Sequence, residues 1–367
     1  MHYDAIVVGA GPGGCMAARV LSRAGFKVLL VERETLPREK ACGGVLLPEA
    51  LEAIRDAYGP LPAACLAEDG KGVKGARLLC EGGGDYLLPF SGEGAYAVRS
   101  RLDAFLAGES GAELLDGCEV TGLEVGRFRA RVRLQREGRG ETAESTYLVG
   151  ADGAESLVLR ALRPEFHRLY AQPALERSML LIAEAEMEWD PQWVGLALPR
   201  GGRGLGRFFR REGLVFLAVS GGGESGWRGE LEGLLSFLGE RVGMELRGEP
   251  VRRSVVRNRM GINGNYSLGA GCALLVGEAA GLLDPWGFGI HLALESGRIA
   301  AESIVESAGE NVTPHLRYRY RMQPVLERES GWRRRFYGKV GALDTSALKA
   351  GGGFAARRDR RALRRRI

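Results

Sequence analysis

The residues of this chain that could do chemistry fall into two groups close together in sequence. "LPREKACGGVLLPEAL" (36–51) sets Cys42 directly before Gly43 and Gly44. A cysteine used only for packing needs no glycines after it. A thiol brought against a flat ligand does, because glycine lets the backbone pass close to a surface. A free thiol titrates near about 8.5, so at neutral pH Cys42 could donate a proton or pack as a small soft group. Ten residues earlier, Glu32 closes the apolar run "KVLLVE", and Gly9, Gly11 and Gly14 form a G-x-G-x-x-G turn in "VVGAGPGGC".

That turn with that acid is a dinucleotide site. Gly9 permits the tight turn, Gly11 lets a pyrophosphate approach the backbone, and Gly14 lets helix and strand pack closely. Pro12 and Gly13 lie in the first helical turn, whose N–H groups face the phosphates. Glu32, 23 residues after the first glycine, accepts hydrogen bonds from a ribose diol and disfavours a 2′-phosphate, which points to FAD or NAD rather than NADP. The elements that must position these groups follow: a strand over Ile6–Val8, a helix through Ala17, Ala18, Val20 and Leu21, and a second strand ending at Glu32.

Two further stretches bear on the choice. "YLVGADGAESLVLR" (147–160) is an apolar strand ending in Gly-Ala-Asp-Gly, followed by a helix. "CALLVGEAAGLLDPWGFGIHLALESGRIAAESI" (272–304) is a strand, a Gly-Glu turn, a Pro-Trp-Gly-Phe-Gly loop and a small-residue helix. With these the sequence resembles the flavoprotein superfamily of aromatic hydroxylases and geranylgeranyl reductases. That superfamily carries a second-strand acid, an Asp-Gly motif, and a late Gly-Asp motif followed by Pro-x-x-Gly-x-Gly-Ile. All three have counterparts here in order and cover about half the chain, the last as Gly-Glu followed by Pro-Trp-Gly-Phe-Gly-Ile, one residue shorter between Pro285 and Gly287.

The resemblance implies FAD as cofactor. It places Asp152 and Gly153 under the pyrophosphate region and adds Arg33 and Val120 to the nucleotide-binding set. Gly277 and Glu278 take the place of the Gly-Asp pair that reaches the ribityl chain, Glu278 being one methylene longer than the usual Asp. Arg99 opens an R-x-x-x-D element that contacts the flavin side, with Asp103 holding the helix. Pro285, Gly287, Gly289 and Ile290 would bring backbone N–H groups and a helix N-terminus to the flavin N1/O2 edge, easing hydride acceptance. Lys40, Cys42, Gly43, Gly44 and Pro48 match the Lys-x-Cys-Gly-Gly element of the geranylgeranyl reductase-like branch, which puts Cys42 beside the isoalloxazine ring. A merely buried thiol is the competing reading. That branch's Tyr-x-Trp-x-Phe-Pro element has its nearest counterpart in "QWVGLALP" (192–199), with the aromatics displaced. The Trp-x-Trp-x-Ile-Pro element of flavin halogenases is absent.

The expected fold is α/β, a Rossmann-like FAD-binding domain with a parallel sheet and helices, interleaved with an antiparallel-sheet substrate domain. The FAD domain takes residues 1–72, 98–162 and 265–310. The substrate domain takes 73–97 and 163–264, including an amphipathic helix with Leu231, Leu234, Leu235 and Leu238 on one face. Residues 311–367 form a helical segment and a basic tail. No second glycine fingerprint occurs, so NAD(P)H or another reductant would bind transiently. The six cysteines form no CxxC pair and the four histidines lie far apart, so neither a disulfide framework nor a metal site is expected. With no secretory signal and no long apolar run, the expected location is cytoplasmic or peripheral to a membrane.

The leading function is an FAD-dependent oxidoreductase that reduces carbon–carbon double bonds of a prenyl or other lipidic substrate. An aromatic hydroxylase and an electron carrier to quinone are the alternatives. The formal charge of +5 is local, since "RRDRRALRRRI" (357–367) carries seven Arg against one Asp. Such a tail is either solvated or meets an anionic membrane surface, and no recognition motif accompanies it to suggest nucleic acid. Removing residues 357–367 should leave flavin content intact and weaken binding to anionic vesicles at low salt, by about 1 kcal/mol per basic residue in contact. Equal vesicle binding with and without the tail would return it to the solvated reading.

Overall fold

The computed structural model describes residues 1–81, 84–198, 206–220, 223–310 and 312–342. The tail at 357–367 and Pro199 lie outside them. The first strand, His2–Val8, lies between Val28–Val31 and Arg139–Gly150, parallel to both. Glu113–Leu115 and Ala273–Leu275 extend the parallel sheet on either side. Ala5–Val8 and Val28–Val31 are buried throughout, as parallel strands covered on both faces must be. Helix Pro12–Arg23 crosses helix Ile290–Ser307 at glycines: a β-carbon on Gly297 would lie 2.2 Å from the Gly13 carbonyl oxygen. The first and last FAD motifs therefore meet face to face.

The second sheet has eight strands, in spatial order Glu245–Asn258, Leu175–Glu186, Leu214–Ser220, Gly206–Arg211, Trp193–Leu198, Leu66–Cys80, Gly84–Ala97 and Val45–Leu46. Its pairings are antiparallel except that of Trp193–Leu198 with Leu66–Cys80, which is parallel. The period-2 alternation of side chains separates its two faces. Phe208, Leu181 and Leu217 pack on one side with Leu234, Phe237 and Leu238 of helix Gly223–Val242. Phe209, Leu180 and Val194 look the other way, toward the FAD-binding half.

The boundary expected after residue 72 falls inside the strand Leu66–Cys80. "EDGKGVKG" has the composition of a loop, yet its backbone pairs with Gly84–Ala97 through three register shifts. The sheet also recruits Val45–Leu46, immediately after the Cys-Gly-Gly loop. Part of the C-terminal segment belongs to the core. Helix Pro314–Ala342 buries Tyr318 and Met322. The Tyr318 hydroxyl donates to the Leu275 carbonyl at 3.0 Å, and Arg321 reaches Glu302 at 3.1 Å. Among the described residues no helix is long and apolar enough to cross a membrane.

Gly297→Val should separate the two crossed helices, costing about 1–3 kcal/mol of stability and lowering FAD retention with it. Gly108→Ala, where a β-carbon meets nothing within 4 Å, is the matched control. Equal melting temperatures for the two variants would contradict the tight crossing.

Candidate functional site

The glycine turn has the geometry that its spacing requires. Gly9 has φ +102°, and a β-carbon there would lie 2.5 Å from the Ala151 carbonyl oxygen. One on Gly14 would lie 1.9 Å from the Gly9 carbonyl oxygen, so only glycine lets the helix pack this close to the turn. Gly11 differs. It is the N-cap of helix Pro12–Arg23 with ordinary φ −78°, no side chain caps the helix, and a β-carbon would meet nothing within 4 Å. The space in front of the helix N-terminus is open, which is where a pyrophosphate gains from free N–H groups and the helix dipole.

Glu32 is buried at the end of Val28–Val31 and accepts from the Ala10 N–H at 2.9 Å and the Glu34 N–H at 3.2 Å. Arg33 beside it is largely exposed and pairs with Glu34 at 3.7 Å. Val120 is buried in the core, on the strand Glu119–Val125, which pairs antiparallel with Ala130–Arg136. Asp152 caps the next helix from within its own loop. It accepts from Ser156 at 2.5 Å and the Val158 N–H at 3.0 Å, while Gly153 takes φ +79°. Burial pushes the Asp152 carboxyl up against those bonds. Gly277, at φ +57°, donates its N–H to Ser296 at 2.9 Å, and Glu278 accepts from the Asn258 N–H at 2.7 Å.

Cys42 is half-buried and lines a cleft of about 580 Å³, open mouth included, between the second sheet and the FAD-binding half. One wall is the Cys42–Gly43–Gly44 loop. The end wall is Gly287, Phe288, Gly289 and Ile290, with Pro285 buried behind it. The facing wall is apolar and comes from the sheet: Leu180, Val194, Phe209, Ala218 and Val255. Gly43 is needed because a β-carbon would lie 2.7 Å from the Phe209 ring, and Gly44 because one would lie 2.1 Å from the Ala97 carbonyl oxygen at φ +75°. Phe209 is itself stacked between Tyr96 (4.7 Å) and Phe216 (5.1 Å). The aromatic ring on the sheet side of the cleft is Phe209 of "GRFFR", while Val194 is what the 192–199 stretch contributes.

The thiol departs from an ordinary cysteine. Burial pushes Cys42 up, but the Arg99 guanidinium, the Gly44 N–H at 3.4 Å and Arg257 outweigh it, and the net direction is down. Arg99 in turn is buried and grips Asp103 through two hydrogen bonds of 3.0 and 2.8 Å. Asp103 also holds Arg38 at 3.0 Å, and Arg38 stands 3.3 Å from Glu32. A chain of buried charges therefore links Glu32 to the thiol. Arg38 escaped the sequence reading, although its place two residues before Lys40 in the same loop was a usable signal. Arg207 and Arg257, which also line the cleft, lie on strands whose alternation could have exposed them.

The chain matches the FAD binding domain family over residues 2–197. It belongs to that family of FAD-dependent oxidoreductases. It is 31% identical over 315 residues to menaquinone reductase of Mycobacterium tuberculosis, covering 82% of this chain and 76% of that one. It is 29% identical over 339 residues to digeranylgeranylglycerophospholipid reductase of Methanothrix thermoacetophila, covering 85% and 80%. A geranylgeranyl bacteriochlorophyll reductase-like structure from Thermoplasma acidophilum shares the fold, with TM-score 0.74, 21% identity and coverage of 95% and 89%. FAD as cofactor fits the open space in front of Gly11, the buried acid Glu32 at the end of the second strand and the glycine-walled cleft beyond them.

Gly11→Val should leave the stability of the apoprotein within about 0.5 kcal/mol of the original, as at an open surface site, and abolish FAD retention. Loss of folding in the apoprotein would mean that Gly11 serves packing instead.

Proposed function

We propose that the chain reduces carbon–carbon double bonds of a prenyl or other lipidic substrate. The observation that carries this reading is the juxtaposition of Cys42 with an apolar sheet wall across a cleft that also meets the FAD-binding loops. The names of the two relatives above support it. FAD, when bound and reduced, would supply the hydride. The apolar wall would take the chain of the substrate and exclude water, with Phe209 held rigid by its ring stack. Cys42 Sγ would carry the proton for the neighbouring carbon, and hydride plus proton account for the saturated product. A thiol titrating below the ordinary cysteine range is the better acid for this task. Arg99 and the Gly44 N–H would hold the thiolate left behind, and solvent or a second donor would restore the proton. The electron donor, NAD(P)H or another reductant, would visit the cleft transiently.

Anaerobic reduction followed by reoxidation with a prenyl lipid, a quinone, or oxygen plus a phenol tests the reading. Fast reoxidation by the prenyl lipid with a saturated product is expected. Rapid turnover with phenol and oxygen alone would favour the hydroxylase. Cys42→Ala should keep FAD and reduction by the donor while lowering alkene turnover by about 10²-fold or more, with Cys42→Ser intermediate. Arg99→Met should move the pH midpoint of Cys42 alkylation upward, because it removes the charge that holds the thiolate. Full turnover in Cys42→Ala would reduce the thiol to packing.

A further inference from the structure

The loop that ends the cleft is held from behind by a buried acid that the proposed reaction does not use. Asp284 opens the run Asp-Pro-Trp-Gly-Phe-Gly and is only 7% exposed. Its Oδ1 accepts from the Phe288 N–H at 2.7 Å, and its backbone carbonyl accepts from the Gly287 N–H at 2.9 Å. These two bonds fold the loop, with Gly287 at φ +78°, so that Gly287, Phe288 and Gly289 line the cleft. Helix Ile290–Ser307 follows at once, and no side chain caps its first turn. Asp284 forms no ion pair among the described residues. A buried carboxyl bonded to backbone N–H groups alone, in a loop that meets a cofactor, is a candidate for a functional proton.

Burial pushes the Asp284 carboxyl up to about 8, with Glu329 adding to it against the Phe288 N–H and Arg207. The surrounding charges come from three elements. On helix Pro314–Ala342, buried Glu329 faces the loop, and Arg328 holds it at 3.3 Å while gripping Glu295 at 2.6 Å. Burial pushes Glu329 up in turn, against Arg328. Arg333 of the same helix donates to Ser330 at 3.0 Å and lies 5.2 Å from the Tyr266 ring. On helix Ile290–Ser307, burial and then Arg328 push His291 down to about 3, so it carries no charge at neutral pH. From the second sheet, Arg207 donates to the Trp286 carbonyl at 2.6 Å, and Arg257 meets the loop at Gly287 from the cleft side. With this balance the Asp284 carboxyl keeps its proton at neutral pH and loses it in mildly alkaline solution.

We propose that Asp284 is the positioning residue of the flavin loop and holds its functional proton: neutral, it shapes the loop without opposing reduction of FAD, and ionised, it makes the cofactor harder to reduce. The inference rests on FAD lying against this loop and not on the identity of the lipid substrate. Reduction adds negative charge to the flavin, and charge near the ring tunes how readily it accepts electrons. A carboxylate in a desolvated loop repels that charge, whereas a carboxyl offers only hydrogen bonds. The proton exchanges with solvent. Reduction in alkaline solution therefore takes up one proton more than reduction at neutral pH, and that proton returns to Asp284.

The test measures the flavin reduction potential of the FAD-loaded protein, from mildly acidic to alkaline pH, beside Asp284→Asn and Glu329→Gln. Asparagine keeps the oxygen that accepts from the Phe288 N–H and has no proton to lose. The original and Asp284→Asn curves should coincide at neutral pH and part above about 8, the original falling lower. A tenfold shift of the reduction equilibrium, one pKa unit of coupling, reads as about 30 mV for a two-electron couple. Glu329→Gln removes a like charge and should move the parting to lower pH. The infrared difference between oxidised and reduced protein at alkaline pH should show a protonated-carboxyl band that Asp284→Asn lacks. FAD content and melting temperature are measured in each variant, so cofactor loss is not read as a shift in potential. Coincident curves at every pH overturn the proposal, and so does a constant offset, which would assign Asp284 to loop shape alone. If Asp284→Asn does not fold, a Glu329→Gln curve that matches the original overturns the proposal by itself. None of these outcomes depends on which acceptor reoxidises the flavin, so the lipid-reductase reading stands or falls separately.

Discussion

The site depends on one fully buried carboxylate. Asp103 accepts from Arg99 on one side and faces Arg38 on the other. Removed from water, a lone guanidinium or carboxylate would cost several kcal/mol. Here each is compensated by a neighbour of opposite sign. The order from the nucleotide end is Glu32, Arg38, Asp103, Arg99 and then Cys42, alternating negative and positive. The thiol stands where the alternation calls for negative charge, and Arg99 therefore draws Cys42 down despite its burial. Arg99 itself is held protonated by Asp103 and Cys42 against the cost of burial. The helix Arg99–Gly108 carries both Arg99 and Asp103 one turn apart, with both side chains buried. Its role is to set a single charge register between two loops.

The second constraint is close approach. Two helices cross at Gly13 and Gly297, a strand and a helix meet at Gly9 and Gly14, and the thiol loop slips between Ala97 and the Phe209 ring at Gly43 and Gly44. These contacts remove the volume a side chain would take and bring backbone N–H groups to the cleft. The high glycine content of the chain is spent partly on such approaches and partly on turns, where many of the remaining glycines adopt positive φ. The two uses are physically different, and Gly9 and Gly44 combine them.

The two-sided second sheet divides the remaining labour. Its period-2 alternation sends Phe208 beneath helix Gly223–Val242 and Phe209 into the cleft. One face thus makes an ordinary core, stabilised by burial of aliphatic and aromatic surface. The other supplies a dry wall interrupted by Arg207 and Arg257. Because adjacent residues serve opposite faces, a one-residue register slip would exchange the wall for the core.

By itself the sequence determined the glycine turn with Glu32 beyond it, the Cys-Gly-Gly loop ten residues further on, and the later Asp-Gly and Pro-x-Gly-x-Gly segments. Those features are local: a strand, a glycine turn and a helix lie within some thirty residues, and their spacing has few physical solutions. The tertiary structure alone decided the direction in which the thiol titrates, because Arg99 and Arg257 reach it from elements 57 and 215 residues away in the chain. It also decided that Phe209 rather than the 192–199 stretch supplies the aromatic wall, and that Tyr318 belongs to the core. Strand pairing and register set these outcomes, and both depend on contacts between distant segments that composition and periodicity do not encode.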